Sequence, residues 1–229
     1  LSYDGQAAYH HKGQLYELPM HGFARFVAWE VLEHKAGEVT FVLTANDDTW
    51  AVYPFDFEVR LTYQLRDTGL VCYQKYSNHG TDMMPYAAGF HPYFLIEDEK
   101  ADVEFSFESG QRYVYNDALN HVVGRAPAPA SPTALSNPDI NERLLCMGEN
   151  KATSLQFPDG RVLTMSAEGV EDANLFPFVQ TYHEMSEPFF CIEPWMSYPN
   201  AMNSATGMRL LKPGQSEQGV LTVQVTSMA

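Results

Sequence analysis

Asp56-Phe57-Glu58-Val59-Arg60-Leu61-Thr62-Tyr63-Gln64-Leu65 alternates polar and apolar residues without a break. Successive side chains of an extended chain point to opposite faces. This stretch therefore lays Phe57, Val59, Leu61, Tyr63 and Leu65 on one side of a half-buried antiparallel strand. The same period runs through residues 103–108 and 221–226, and residues 38–44 and 70–76 are rich in strand formers. Asn46-Asp47-Asp48, Asp67-Thr68-Gly69, Asn78-His79-Gly80, Pro158-Asp159-Gly160 and Pro213-Gly214 punctuate these runs with turn chemistry. Only residues 116–123 and 139–147 have a helical cast, and both are short. The Pro-rich run from Ala126 to Pro132 reads as a long surface loop, because strand patterns of one kind flank it. The expected fold is all-β, a sandwich or barrel of many strands in one domain spanning residues 1–229.

With 45% hydrophobic residues in a 229-residue chain, a sizeable core is available. Only 19% of residues are charged, and 29 Asp and Glu against 14 Lys and Arg leave a net charge of -15. A phosphate backbone or anionic bilayer needs a dense basic footprint, so neither nucleic acid nor membrane is an expected partner. No run approaches the roughly 20 apolar residues of a membrane-spanning helix. Leu1-Ser2-Tyr3-Asp4-Gly5 has neither the basic start nor the apolar core of a signal peptide, and a cytoplasmic location is expected. Cys72, Cys146 and Cys191 are odd in number and widely spaced, which fits reduced, mostly buried thiols.

Two ionisable residues stand directly before prolines in apolar surroundings: His91 in Gly89-Phe90-His91-Pro92-Tyr93-Phe94 and Glu193 in Cys191-Ile192-Glu193-Pro194-Trp195. Proline holds its predecessor extended and belongs at strand ends, edges or bulges. Residues two apart then share a face, which puts Glu193 beside Trp195 and His91 beside Tyr93. A carboxylate next to an indole suits a sugar, with the carboxylate on a hydroxyl and the ring's C–H face on the aromatic. Equally, Glu193 reads as a solvated strand residue and His91 as a satisfied structural histidine. In Leu18-Pro19-Met20-His21-Gly22-Phe23-Ala24-Arg25, a glycine lets the backbone turn tightly between His21 and Arg25, both hydrogen-bond donors. The plain alternative is a surface loop with an ordinary exposed Arg. No metal is expected, since the histidines lack ligand spacing, and no nucleotide, serine-hydrolase or zinc-protease motif is present.

His21-Gly22-Phe23-Ala24-Arg25, Gly89-Phe90-His91-Pro92-Tyr93-Phe94 and Cys191-Ile192-Glu193-Pro194-Trp195, in this order, resemble the aldose 1-epimerase (galactose mutarotase-like) family. The resemblance is to the branch near the lactose-operon mutarotase-like proteins and hexose-6-phosphate 1-epimerases. Leu211-Lys212-Pro213-Gly214 is similar to the family's closing turn. The resemblance implies a β-supersandwich with the sugar on a concave face, Glu193 as the base for the anomeric hydroxyl and His91 as the acid for the ring oxygen. It further implies that His21 and Arg25 hold the sugar, with Trp195 as a platform. Family members carry several strands before the first motif. Only twenty residues precede His21 here, so part of the N-terminal sheet is expected to be missing. The family's additional substrate-binding Asp has no evident counterpart, Asp139 and Asp172 being candidates in name only.

Mutarotation opens a hemiacetal and closes it on the other carbonyl face. Proton transfers alone drive it, so no cofactor is expected, and an acid and a base are wanted on opposite sides of one ring. Glu193 is expected to be ionised at neutral pH and His91, at an ordinary pKa of about 6.5, only partly protonated. The expected partner is a small sugar, a hexose or hexose phosphate, acted on by a monomer or homodimer. The alternatives are a hexose-6-phosphate 1-epimerase using Arg25, and a non-catalytic sugar-binding protein of the same fold.

Overall fold

The computed structural model of the protein describes residues 8–205 and 207–227. Its strands pair antiparallel throughout, in two large sheets and two short ribbons. The larger sheet has nine strands, in spatial order Thr133–Ala134, Glu104–Phe107, Thr153–Gln156, Arg161–Gly169, Ser216–Ser227, Gly69–Asn78, Phe57–Arg66, Glu38–Thr44 and Glu30–Lys35. The smaller has six: Val122–Pro127, Gln111–Tyr115, Arg143–Cys146, Phe178–Tyr182, Phe189–Trp195 and Tyr93–Leu95.

The quoted alternation becomes the strand Phe57–Arg66, which pairs along its length with Gly69–Asn78 through the turn at Asp67 and Thr68. Phe57 is buried in the main core, with Val59, Leu61 and Tyr63 packed against it, while Arg60 on the other face is exposed. Phe105, Leu155, Met165 and Leu221 from the nine-stranded sheet meet Leu145, Val179, Phe190 and Ile192 from the six-stranded sheet in one apolar layer. The Phe105 and Phe190 rings lie 5.2 Å apart across it. This is an all-β sandwich, as the alternation predicts.

Three details differ from the sequence reading. The loop expected from Ala126 starts only after Pro127, because Ala126 and Pro127 pair with Arg112 and Gln111 at the end of the strand Val122–Pro127. Asn46-Asp47-Asp48 does not form a simple turn but starts a helix, Asp47–Val52. The Asn46 side chain accepts from the Thr49 backbone N–H while the Thr49 hydroxyl faces the Asn46 N–H, a capping box that satisfies two otherwise unpaired donors. Residues 139–147 contribute only the end of a 3₁₀ turn, Pro138–Ile140, and then extend into the strand Arg143–Cys146, whose Leu144 and Leu145 are buried on opposite faces. Tertiary burial overrides a weak local preference there. The edge strand Glu30–Lys35 carries Glu30, Glu33, His34 and Lys35 and a register shift between Val31 and Glu33, both of which discourage pairing with another chain. Cys72, Cys146 and Cys191 are free, and no helix among the described residues is long and apolar enough to cross a membrane.

Candidate active site

Alternation along Phe189–Trp195 sends Phe190 and Ile192 into the core between the sheets. Cys191, Glu193 and Trp195 therefore face the other side of the six-stranded sheet. Directly opposite Glu193 on the neighbouring strand is Gln180, and opposite Trp195 is Phe178. The segment leading to His91 is laid against the end of this strand. Gly89 bridges to Trp195, Phe90 N–H donates to Pro194 C=O at 3.1 Å, and Met196 N–H donates to Ala88 C=O at 3.0 Å. Such close approach requires Gly89, because a Cβ there would stand 2.8 Å from Trp195 Cδ1 and 3.1 Å from Pro194 O. Pro92 lies just before the strand Tyr93–Leu95, and Pro194, which has no N–H, only accepts from Phe90.

This clamp brings His91 Nε2 to 3.4 Å from Glu193 Oε1. The His91 ring stacks on Tyr93 at 4.9 Å and 2°, and His21 meets its edge at 5.5 Å. His21 adopts a left-handed backbone (φ 67) followed by Gly22 (φ 73), a conformation closed by the Gly22 N–H to Pro19 C=O bond. A histidine in that region is uncommon, and strain of this kind is found where a side chain is being aimed. Arg25 is exposed, with its guanidinium 4.4 Å over the Phe26 ring, and its charge is felt by both His21 and His91. Hence the five residues singled out in the sequence, His21, Arg25, His91, Glu193 and Trp195, converge on one site.

Electrostatics departs from expectation. Glu193 is 1% exposed, and burial, reinforced by the nearby Glu142, pushes its pKa up to about 8 against a partial downward pull from the Trp195 side chain. Glu193 is therefore mostly protonated at neutral pH rather than ionised. Burial lowers the His91 pKa, with Arg25 acting in the same direction, and burial brings His21 down to about 4. At neutral pH these shifts leave the proton on the Glu193 carboxyl and His91 neutral. The two groups are also adjacent rather than set on opposite sides of a ring-sized space.

Glu142, Gln180 and Tyr115 escaped the sequence reading. Tyr115 Oη–H donates to Gln180 Oε1 at 2.7 Å, and Gln180 Nε2–H donates to Glu142 Oε2 at 3.1 Å. Burial raises the Glu142 pKa as well, against a downward pull from Arg143. The two named carboxylate candidates lie elsewhere: Asp139 is exposed in the 3₁₀ turn, and Asp172 pairs with Arg209 at 3.1 Å. His91, Cys191 and Glu193 place one N, one S and one O donor within 4.8 Å of one another, a grouping that wide sequence separation hides.

The aldose 1-epimerase family model matches residues 2–224. YihR of Escherichia coli is 27% identical over 231 residues, covering 90% of this chain and 70% of YihR. The plasmid-borne LacX of Lactococcus lactis is 25% identical over 197 residues, and the chain spans only 62% of its length. Among solved structures, a galactose mutarotase related enzyme from Lactobacillus acidophilus is 27% identical with a TM-score of 0.85, covering 97% of this chain and 79% of that one. Slr1438 from Synechocystis shares the fold at TM-score 0.85 and 24% identity, over 99% of this chain and 75% of its own. The chain belongs to the aldose 1-epimerase family.

Proposed function

We infer that the protein interconverts the α and β anomers of a hexose by acid/base ring opening and closure. The observation carrying this reading is the 3.4 Å approach of His91 Nε2 to the buried Glu193 carboxyl. The anomeric hydroxyl and the ring oxygen are bonded to one carbon. A donor and an acceptor that stand side by side therefore reach both, and each positioned group contributes about 10²–10⁴ in rate. With the proton passed to His91, Glu193 takes the anomeric hydroxyl proton and imidazolium protonates the ring oxygen. Sugar hydroxyls entering beside the carboxyl replace lost solvation and favour that transfer. On closure the transfers reverse and the other carbonyl face is attacked.

Trp195 supplies an apolar platform, His21 and Arg25 donate to hydroxyls, and Glu142 serves as the additional carboxylate acceptor, oriented by Gln180. Arg25 is the cation that acts on His91, and in a chain of net charge -15 this supports a neutral hexose over a hexose 6-phosphate. The test is the relaxation of freshly dissolved α-D-galactose, α-D-glucose and α-D-glucose 6-phosphate, followed by polarimetry. Faster relaxation of a neutral hexose than of the phosphate is expected, whereas saturable binding without acceleration would identify a sugar-binding protein instead.

The pair also dictates a pH profile. Above about pH 8 the Glu193 proton leaves and the rate falls tenfold per unit. Below the lowered His91 value a second proton occupies the base, so activity declines again. Because Glu142 raises Glu193, Glu142→Gln is expected to move the alkaline limb of kcat/KM downward in pH and to raise KM. An unmoved limb would show that the two carboxyls are not coupled.

A further inference from the structure

A second cleft, of about 320 Å³, opens on the six-stranded sheet between the strand Val122–Pro127 and Tyr198. Tyr113 and Tyr198 form one wall of it. The Tyr113 and Tyr198 hydroxyls are 2.6 Å apart, their rings meet at 4.8 Å, and Tyr198 also lies 4.8 Å from Phe178, the cross-strand partner of Trp195. Trp195 and Tyr198, both partly exposed, pack on the buried Phe178, which joins the platform beside Glu193 to this cleft. The polar groups are few and fixed: His121 is held between Asn120 at 2.9 Å and Asn200 at 2.7 Å. Arg125 lies 4.9 Å over the Tyr113 ring, and no carboxylate among the described residues pairs with it, in a chain of net charge -15.

Register measures the reach. Tyr113 stands opposite Leu144, Leu144 opposite Gln180 and Gln180 opposite Glu193. Three strand spacings separate Tyr113 from Glu193, about 14 Å between backbones. One pyranose held at Glu193, even with a phosphate on its sixth carbon, falls short of Arg125, while a second ring reaches it. The Tyr113 and Tyr198 rings meet edge-on at 73°, which leaves the partly exposed Tyr198 to receive a sugar ring, and a guanidinium with no carboxylate partner receives an anion in bidentate fashion.

We propose that the cleft formed by Tyr113, Tyr198, His121 and Arg125 is a subsite for the distal ring of a reducing disaccharide whose distal unit carries a carboxylate. This rests on the anomerase reading of the Glu193 site.

The test compares anomer exchange of glucose, glucose 6-phosphate, cellobiose and glucuronosyl-(1→4)-glucose in wild type, Arg125→Gln, Arg125→Lys and Tyr198→Ala. A charge-assisted contact predicts kcat/KM for the acidic disaccharide roughly ten- to hundredfold above cellobiose, an advantage lost in Arg125→Gln and partly restored in Arg125→Lys. Tyr198→Ala is expected to lower both disaccharides relative to glucose. Equal rates for acidic and neutral disaccharides would overturn the proposal. So would loss of glucose 6-phosphate exchange, rather than acidic-disaccharide exchange, in Arg125→Gln. Should no sugar be accelerated, the anomerase reading falls, and calorimetric titration with the acidic disaccharide decides the subsite by itself. Binding weakened in Arg125→Gln supports it, and binding absent or unchanged overturns it.

Discussion

Glu193→Gln is expected to slow catalysed anomer exchange by about 10²–10⁴-fold and, at the same time, to stabilise the protein above neutral pH. The first effect follows because an amide takes no proton from the anomeric hydroxyl. The second follows from linkage. The folded-state pKa, about 8, lies above the ordinary 4.5. The neutral carboxyl's contribution is fully present below pH 4.5 and is lost as pH rises through 8. Glutamine does not titrate, so its advantage grows over that window toward an upper bound of about 5 kcal/mol, at ~1.4 kcal/mol per pH unit. Thermal unfolding at pH 8 should show a midpoint raised by at least about 4 °C, with a much smaller difference at pH 4. Equal midpoints at both pH values would mean that the buried carboxyl is not destabilising.

His91→Gln is expected to cost about 10²–10⁴-fold in kcat through loss of the proton donor. It should also erase the acid limb of the pH profile, which belongs to His91, and leave the alkaline limb in place. Gln retains a donor of similar reach, and His91 is half-buried at the mouth of the site, so folding should survive. A kcat within threefold of wild type would remove His91 from the chemistry. Retention of the acid limb would assign that limb to another group, His21 being the nearest.

Much of the fold was legible because strand alternation is a local signal. Residues 38–44 are a strand over their full length, and the run from Asp56 is displaced by one residue. The helix after Asn46 was missed because Asn and Asp serve turns and helix caps alike, and only the Thr49 partner distinguishes them. His91 and Glu193 were legible through their prolines, which mark places where a strand end leaves a side chain free to act. Gln180 and Glu142 were not. Their neighbourhood is created by strand register, Gln180 opposite Glu193 and Leu144 opposite Gln180, and no spacing in the sequence records it. The protonation of the pair was likewise hidden, since it depends on how deeply the six-stranded sheet buries Glu193, a tertiary quantity.

The most direct measurement is magnetisation-transfer NMR between the α and β anomeric protons of galactose and glucose at equilibrium, at pH 7, with wild type and Glu193→Gln side by side. Exchange accelerated in proportion to wild-type enzyme and reduced to the solvent rate by a folded Glu193→Gln is the predicted result. Exchange at the solvent rate with folded wild type, or acceleration undiminished in Glu193→Gln, would contradict it.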